Sequence, residues 1–254
     1  MDFKTGLVFG GGGGKGAYQA GVWKALEEMG VCGRIGGVSG ASVGALNGAM
    51  FCAGDLQSAV KAWSCIDEGM ILSRQGSHDS SWFSNEGIKD MIRTYINLTA
   101  LKNSKTVFYA VASNIKKRPL LPDAITARYF KTSDYSETDI EKILLASAAI
   151  PVVFPDIVID GSTYVDGGLK DNVPIIPLYD AGFRKILIVS LGGTFKLPAI
   201  KFHGAQFLVI SLDESWLRSL GGTLDFTARD AGIRMERGYE DCMGMADVIY
   251  DFML

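Results

Sequence analysis

Five consecutive glycines, Gly10 to Gly14, stand between an apolar tetrapeptide, Gly6-Leu7-Val8-Phe9, and a stretch with helical periodicity. Glycine loses more conformational freedom on folding than any other residue, so such a run suits places where backbone must turn tightly or be closely approached. Beyond it Tyr18, Val22, Leu26 and Met29 recur at spacings of four, four and three, with Lys24, Glu27 and Glu28 on the other side. That spacing predicts an amphipathic helix over 17–29. The chain therefore opens as strand, glycine loop, helix. The free N–H groups and positive dipole end of a helix start form an anion site, which a glycine loop leaves open to a ligand.

Two nucleotide patterns compete for that site, and both fail. Gly11-x-Gly13-x-x-Gly16 fits the dinucleotide fingerprint, but that fingerprint needs a carboxylate at the end of the second strand, where this chain has Gly37-Val38-Ser39. The triphosphate loop needs a glycine where Phe9 stands and Ser or Thr where Gly16 stands. An oxyanion formed at a serine ester fits better. A candidate serine follows at once: Arg34 to Ser39 reads as a buried strand and Val43 to Met50 as a small-residue helix, with Gly40-Ala41-Ser42-Val43-Gly44 as the turn between them. Ser42 would sit at the tip of a strand–turn–helix elbow, with Gly40 and Gly44 removing side chains that would clash. The pentapeptide alone is also compatible with a purely structural turn.

Later segments predict a helix from Asp55, as cap, through Ser64 and another from about Glu86 to Asn97. Val107–Ala112 reads as a buried strand and Ile125–Phe130 as a more alternating one, nearer an edge. Thr138-Asp139-Ile140-Glu141 reads as a capping box that starts a helix ending at Pro151. Asp160-Gly161 between two apolar runs signals a hairpin, whose second strand delivers Asp166-Gly167-Gly168. Ile186–Leu191 and Phe207–Ile210 read as buried strands, and the last thirty residues as one long amphipathic helix with Phe226, Ile233, Met243 and Val248 on its apolar side. Buried strands alternating with helices predict an α/β fold, a three-layer α/β/α sandwich with a largely parallel central sheet. Nothing resembles a linker, so residues 1–254 are expected to form a single domain.

The net charge of −3 offers no broad basic face, which argues against a nucleic-acid partner. Cys32, Cys52, Cys65 and Cys242 lack paired or metal-like spacing and read as reduced thiols, which points to the cytoplasm. No leader pattern and no apolar run of ~18 residues is present, so at most peripheral contact with a membrane is expected.

The glycine loop, the elbow serine and the aspartate before two glycines, in this order, resemble the patatin-like phospholipase family. Gly11-Gly12-Gly13-Gly14-Lys15-Gly16 is similar to the family's oxyanion-loop signature, with Lys15 for the commoner arginine and Gly14 for the commoner alanine. Gly40 to Asn47 is similar to its nucleophile segment. Ala146-Ser147-Ala148-Ala149-Ile150-Pro151 and Asp166-Gly167-Gly168 with Asp171-Asn172-Val173-Pro174 are similar to the blocks before and around its aspartate. The resemblance implies a patatin-like fold and a serine acyl hydrolase acting on phospholipids or other acyl-ester lipids, without metal or cofactor. It implies a dyad of Ser42 as nucleophile and Asp166 as base. It also implies an oxyanion hole from the amides of Gly11, Gly12, Gly13 and Gly14, with Gly167 and Gly168 turning the backbone away after the base. Lys15 would either steer an anionic headgroup or sit in solvent.

Two other readings stay open. An ordinary Ser–Asp–His triad would need His203 or His78, and a lipid- or acyl-binding protein would need no activated serine at all. Residues 69–83 and 194–204 are candidate lids, Trp82 and Phe83 are expected to be ordinary core residues or else membrane contacts, and Ser39, Ser147, Asp160 and Asp171 are expected to be structural. Oligomeric state is not legible.

Overall fold

The computed structural model describes residues 4–71, 83–116, 124–192, 201–213, 222 and 224–253. Its sheet comprises β1 (Thr5–Phe9), β2 (Ile35–Ala41), β3 (Val107–Ile115), β4 (Ile125–Lys131), β5 (Ile157–Ile159), β6 (Ser162–Asp166), β7 (Lys185–Ser190) and β8 (Gln206–Ser211). Five of these run parallel in the order β8-β7-β1-β2-β3. Every residue of β1 and β2 is buried, which is why both read as unbroken runs of apolar and small residues. β8 is an exception to expectation: it lies at the end of this order, and most of its residues are only half-buried or exposed.

Strand β3 places the two ends that matter. It pairs with β2 through Val107 to Val111, and with β6, antiparallel, through Ala112 to Ile115. β4 pairs with β3 over Tyr109 to Ile115, overlapping both, and so occupies the opposite edge. Hence β2 and β6 meet end to end along one edge of β3, with Ala41 opposite Val111 and Asp166 opposite Ala112. The hairpin that feeds β6 turns at Asp160 and Gly161, with φ of 48° and 74°, the paired left-handed geometry of a tight two-residue turn.

Alternate residues of the parallel strands face two layers. Leu7, Phe9, Leu187 and Val189 pack into the larger core, under α1 (Ala17–Glu28), α2 (Val43–Ala53), α3 (Leu56–Ser64), α4 (Glu68–Ile71), α5 (Glu86–Tyr95), α6 (Leu98–Lys102) and α7 (Glu137–Ser147). Val8, Ile186 and Ile188 face the other way, onto α8 (Ile176–Asp180) and Phe202, whose ring meets Tyr179 and Phe207 edge-on. The three-layer arrangement holds, with unequal layers.

Helix starts follow local chemistry. Asp55 caps α3 by accepting from the Ser58 amide at 2.9 Å. Helix α7 begins two residues earlier than its sequence suggests: Ser136 and not Thr138 is the cap, accepting from the Asp139 amide and donating its hydroxyl to the Asp139 carboxylate at 2.6 Å.

The C-terminal helix is the clearest departure. It is divided into α9 (Ala228–Met243) and α10 (Ala246–Met253), and Ile233, Met243 and Val248 are exposed. The buried face of α9 consists instead of Ala231, Arg234, Gly238 and Cys242. α9 crosses α1 so closely that a side chain on Gly238 would strike the Tyr18 carbonyl, so only glycine fits at that crossing. No helix among the described residues is long and apolar enough to cross a membrane.

Candidate active site

Ser42 stands between β2 and α2 with φ 56° and ψ −132°, a conformation that non-glycine residues rarely adopt. Such a residue carries about 1–3 kcal/mol of strain and persists only where its surroundings over-determine it. They do so here. A Cβ on Gly40 would fall on the Gly44 carbonyl and one on Gly44 on the Phe9 carbonyl, so the elbow closes only around glycines. The Ser42 amide donates to Ser147 Oγ at 3.0 Å, and that hydroxyl donates onward to the Val111 carbonyl at 2.6 Å. Ser147 is thus a structural hydroxyl, as its sequence suggests, but what it fixes is the elbow itself.

Asp166 arrives from the other direction at the end of β6 and is 6% exposed. Its Oδ1 accepts from the Gly168 amide at 2.7 Å, while Oδ2 is buried with no hydrogen-bond partner among the described residues. Burial pushes the carboxyl up to about 6, against the opposing influence of the nearby Ser42 hydroxyl and the Gly168 amide. The Ser42 hydroxyl is close enough to favour the ionised carboxylate without completing a hydrogen bond of standard geometry to it. Gly167 packs its α-carbon against the Val111 carbonyl, and Gly168 lies beside Asn172, so the chain turns off sharply after the aspartate.

The glycine loop divides into two parts. The Gly11 amide is occupied, donating to the Asn172 carbonyl at 3.0 Å, and the Asn172 side chain returns a hydrogen bond to the Gly11 carbonyl. Gly11 therefore anchors the loop and leaves the expected set of oxyanion donors. The amides of Gly12, Gly13 and Gly14 donate to no other group among the described residues. Gly12 and Gly13 line the open cleft that also holds Ser42, Asp166 and Lys15. Gly14 sits behind them, its carbonyl accepting from Arg234 at 3.0 Å.

A buried network keeps this loop in register with the elbow. Asn47 of α2 donates to the Gly16 carbonyl and to Gln19, Gln19 donates to the Gly10 carbonyl at 2.7 Å, and Trp63 donates to Asn47. Arg234 of α9 is 1% exposed and holds the loop from the rear, through the Gly14 and Asp225 carbonyls and an ion pair with Asp225 at 3.3 Å. Composition gives no hint of these partners. The motif letters Gln19 and Asn47 mark two of them, but nothing in the sequence ties residue 234 to residue 14.

Lys15 is half-buried on the cleft wall, and burial, helped by the Arg234 charge, lowers its pKa. Behind Ser42 the site continues into a small apolar cavity between α2, α3 and α5, lined by residues such as Leu46, Met50, Trp63 and Ile88.

A triad through His203 does not survive the topology. His203 is exposed, its carbonyl accepts from the Tyr179 hydroxyl, and it precedes β8. Since β8 runs parallel to β2 through β7 and β1, a residue before β8 lies at the opposite end of the sheet from Ser42, which follows β2. His78, Trp82, most of 69–83 and most of 194–204 lie outside the described residues; Phe83 is half-buried against the core, where its ring meets Phe154. Asp171 accepts from the Tyr129 hydroxyl at 2.7 Å, and Ser39 donates to the Pro174 carbonyl. Both behave as structural groups.

Residues 7–179 match the patatin-like phospholipase family. An NTE family protein of Mycobacterium tuberculosis is 27% identical over 198 residues, covering 77% of this chain and 51% of the relative. The lysophospholipase NTE1 of Cryptococcus neoformans is 26% identical over 193 residues, 74% of this chain and 11% of the relative. This chain thus spans about half the length of the mycobacterial relative and about a tenth of the fungal one. Among solved structures, VipD from Legionella pneumophila superposes with a TM-score of 0.59 at 15% identity, covering 97% of this chain and 67% of that one. Human GIVD cytosolic phospholipase A2 does so with a TM-score of 0.64 at 9% identity, covering 99% and 60%. At those identities the likeness is one of fold.

Proposed function

This chain belongs to the patatin-like phospholipase family, and we propose that it is a serine lipid acyl hydrolase working through Ser42 and Asp166. The observation that carries the reading is the meeting of β2 and β6 on β3. It brings a strained, nearly buried serine beside a carboxylate whose second oxygen has no partner among the described residues. A serine hydroxyl attacks an ester only if a positioned base removes its proton, and a buried carboxylate with a raised pKa is a better base than one in water.

Ser42 Oγ would attack the ester carbonyl carbon while its proton passes to Asp166 Oδ2. The carbonyl oxygen, now an oxyanion, would accept from the Gly12 and Gly13 amides, where each such donor is worth ~3 kcal/mol. Collapse would break the bond to the alcohol, which leaves with the proton from Asp166, and the acyl group would remain on Ser42. Water would then attack, giving its proton to Asp166, and a second collapse would release the acid and return the proton to Ser42. Lys15 on the cleft wall suits a substrate with an anionic headgroup.

Labelling of the intact protein by a small fluorophosphonate, mapped to Ser42, tests the reading directly. An unreactive protein would instead be an acyl-binding module. Two further results are expected. With a neutral p-nitrophenyl ester, kcat/KM should fall about tenfold per pH unit below about 6 and be flat above it, because Asp166 must be ionised to act as base. A profile without an inflection between about 5 and 7 would remove Asp166 from the role. His203→Ala should keep kcat/KM within about twofold of the parent in the same assay, since an exposed group at the far end of the sheet touches nothing in the site.

A further inference from the structure

Asn172 stands where the glycine loop, the base and the nucleophile converge, and its side chain is only half used. It lines the open cleft with Ser42 and Asp166 and is exposed there. Nδ2 donates one hydrogen to the Gly11 carbonyl at 3.3 Å, while no group among the described residues donates to Oδ1. Two missing side chains make room for that oxygen. A Cβ on Gly168 would fall 2.5 Å from Asn172 Oδ1 and 2.9 Å from Asp166 Oδ1, and one on Gly11 would strike Asn172 Oδ1 while lying 3.1 Å from the Ser42 Cβ. A free carbonyl oxygen thus stands in the cleft beside both the carboxylate and the nucleophile.

We propose that Asn172 orients the water that hydrolyses the acyl-enzyme. The proposal rests on the serine-hydrolase reading above and adds a residue to its second half. A water attacking the acyl carbon must aim a lone pair at it, which requires both of its hydrogens to be committed elsewhere. Asp166 takes one of them and leaves the molecule free to turn about that bond. Asn172 Oδ1, accepting from the other, stops the turning. During attack the water oxygen bonds to the acyl carbon, the carbonyl electrons move onto the oxyanion, and one hydrogen passes to Asp166 as a proton. The other stays on the attacking oxygen and donates to Asn172. That oxygen is positively polarised at this stage, so the bond is strongest in the transition state. The first half of the reaction needs no such help. Ser42 Oγ carries a single hydrogen, which goes to Asp166, and its bond to Cβ already fixes where its lone pairs point.

The two halves separate in stopped-flow kinetics with p-nitrophenyl butyrate. The burst of nitrophenolate times acylation, steady-state turnover of the accumulated acyl-enzyme times deacylation, and intact mass spectrometry reads the fraction of protein carrying the acyl group. For Asn172→Ala the deacylation rate constant should fall about 10- to 100-fold, the effect of losing one hydrogen bond to a group bearing charge, with acylation within about threefold of the parent. Butyryl-enzyme should then build up on Ser42. Equal falls in both steps would make Asn172 only a clamp on the glycine loop, and unchanged deacylation would give it no part in the reaction; either result overturns the proposal.

Asn172→Asp has the same shape, keeps an acceptor at Oδ1 and loses the donor to Gly11, and it decides the matter if the alanine variant does not fold. Its ratio of acylation to deacylation should stay within about threefold of the parent's above about pH 8. The new carboxylate is exposed and ionises before the buried Asp166, so the low-pH limb of kcat/KM should move up from about 6 by about one unit or more. An inflection left in place would mean that the side chain at 172 does not face the base, and would likewise overturn the proposal. Failure of the underlying reading looks different: a parent protein that neither turns the ester over nor takes the acyl group onto Ser42 is no hydrolase, and the role of Asn172 falls with it.

Discussion

Ser42→Ala and Asp166→Asn are each expected to lower ester hydrolysis by roughly 10⁴-fold or more, because nucleophile and base act as one unit and either loss removes the whole pathway. Stability should move the opposite way. Asp166 is ionised in a site that disfavours its charge, so its carboxyl is held up to about 6 from an ordinary value of 3.8. Below about pH 4 the group is protonated in folded and unfolded chains alike and contributes nothing. Between about 4 and 6 the folded chain binds more protons, and above 6 it carries a penalty on the order of 2–3 kcal/mol. Asp166→Asn removes that penalty, so its melting temperature should exceed the parent's by several degrees at pH 8, with the gap closing by pH 4. Ser42→Gly should behave likewise: it relieves φ 56° at the elbow and should melt above Ser42→Ala while being equally inactive. Thermal scans at pH 4 and pH 8 alongside the ester assay decide the matter. An Asp166→Asn protein that melts lower at both pH values would make the carboxylate a cap for the Gly168 amide rather than a base.

This opposition explains which parts of the site can be read from the chain. Local strain has a local signature. The glycines at 40 and 44, the glycine run before α1 and the Asp160-Gly161 turn each mark backbone that other residues cannot adopt or approach, and all three fall where the sequence puts them. What joins them has no such signature. That Asp166 ends opposite Ala112 and Ala41 opposite Val111 follows from three strands sharing β3, a long-range arrangement invisible to periodicity. The loss of the Gly11 amide to Asn172 likewise needs the fold, since the two residues lie far apart in the chain. Periodicity also misassigned α9: packing against α1 at Gly238 and burial of Arg234 reversed the face that Ile233 and Met243 suggested.

Arg234 is where that reversal bears on catalysis. Its guanidinium joins the Gly14 carbonyl, directly behind the Gly12 and Gly13 amides, to the carbonyl and carboxylate of Asp225. Phe226, next along, lines the apolar cavity behind Ser42, so one short segment backs both the glycine loop and that cavity. Arg234→Met would strand two carbonyls and an acidic partner, and removing one member of a buried pair costs about 3 kcal/mol or more, a fall in melting temperature of roughly 6–12 °C for a chain of this size. Arg234→Lys is the more telling variant. It keeps the charge but cannot span three acceptors with a planar fork, so the loop should lose alignment while the fold survives. Donors that matter only once the oxyanion forms affect kcat and not substrate binding, so the lysine variant should show a kcat reduced about 10- to 100-fold with KM within about twofold. Steady-state kinetics on p-nitrophenyl butyrate, with a melting curve for each variant, separate the cases. If Arg234→Lys melts several degrees lower yet keeps its kcat, the arginine only holds α9 in place. If kcat falls at constant KM and nearly constant melting temperature, then Arg234, beyond the residues matched to the family, aligns the oxyanion loop.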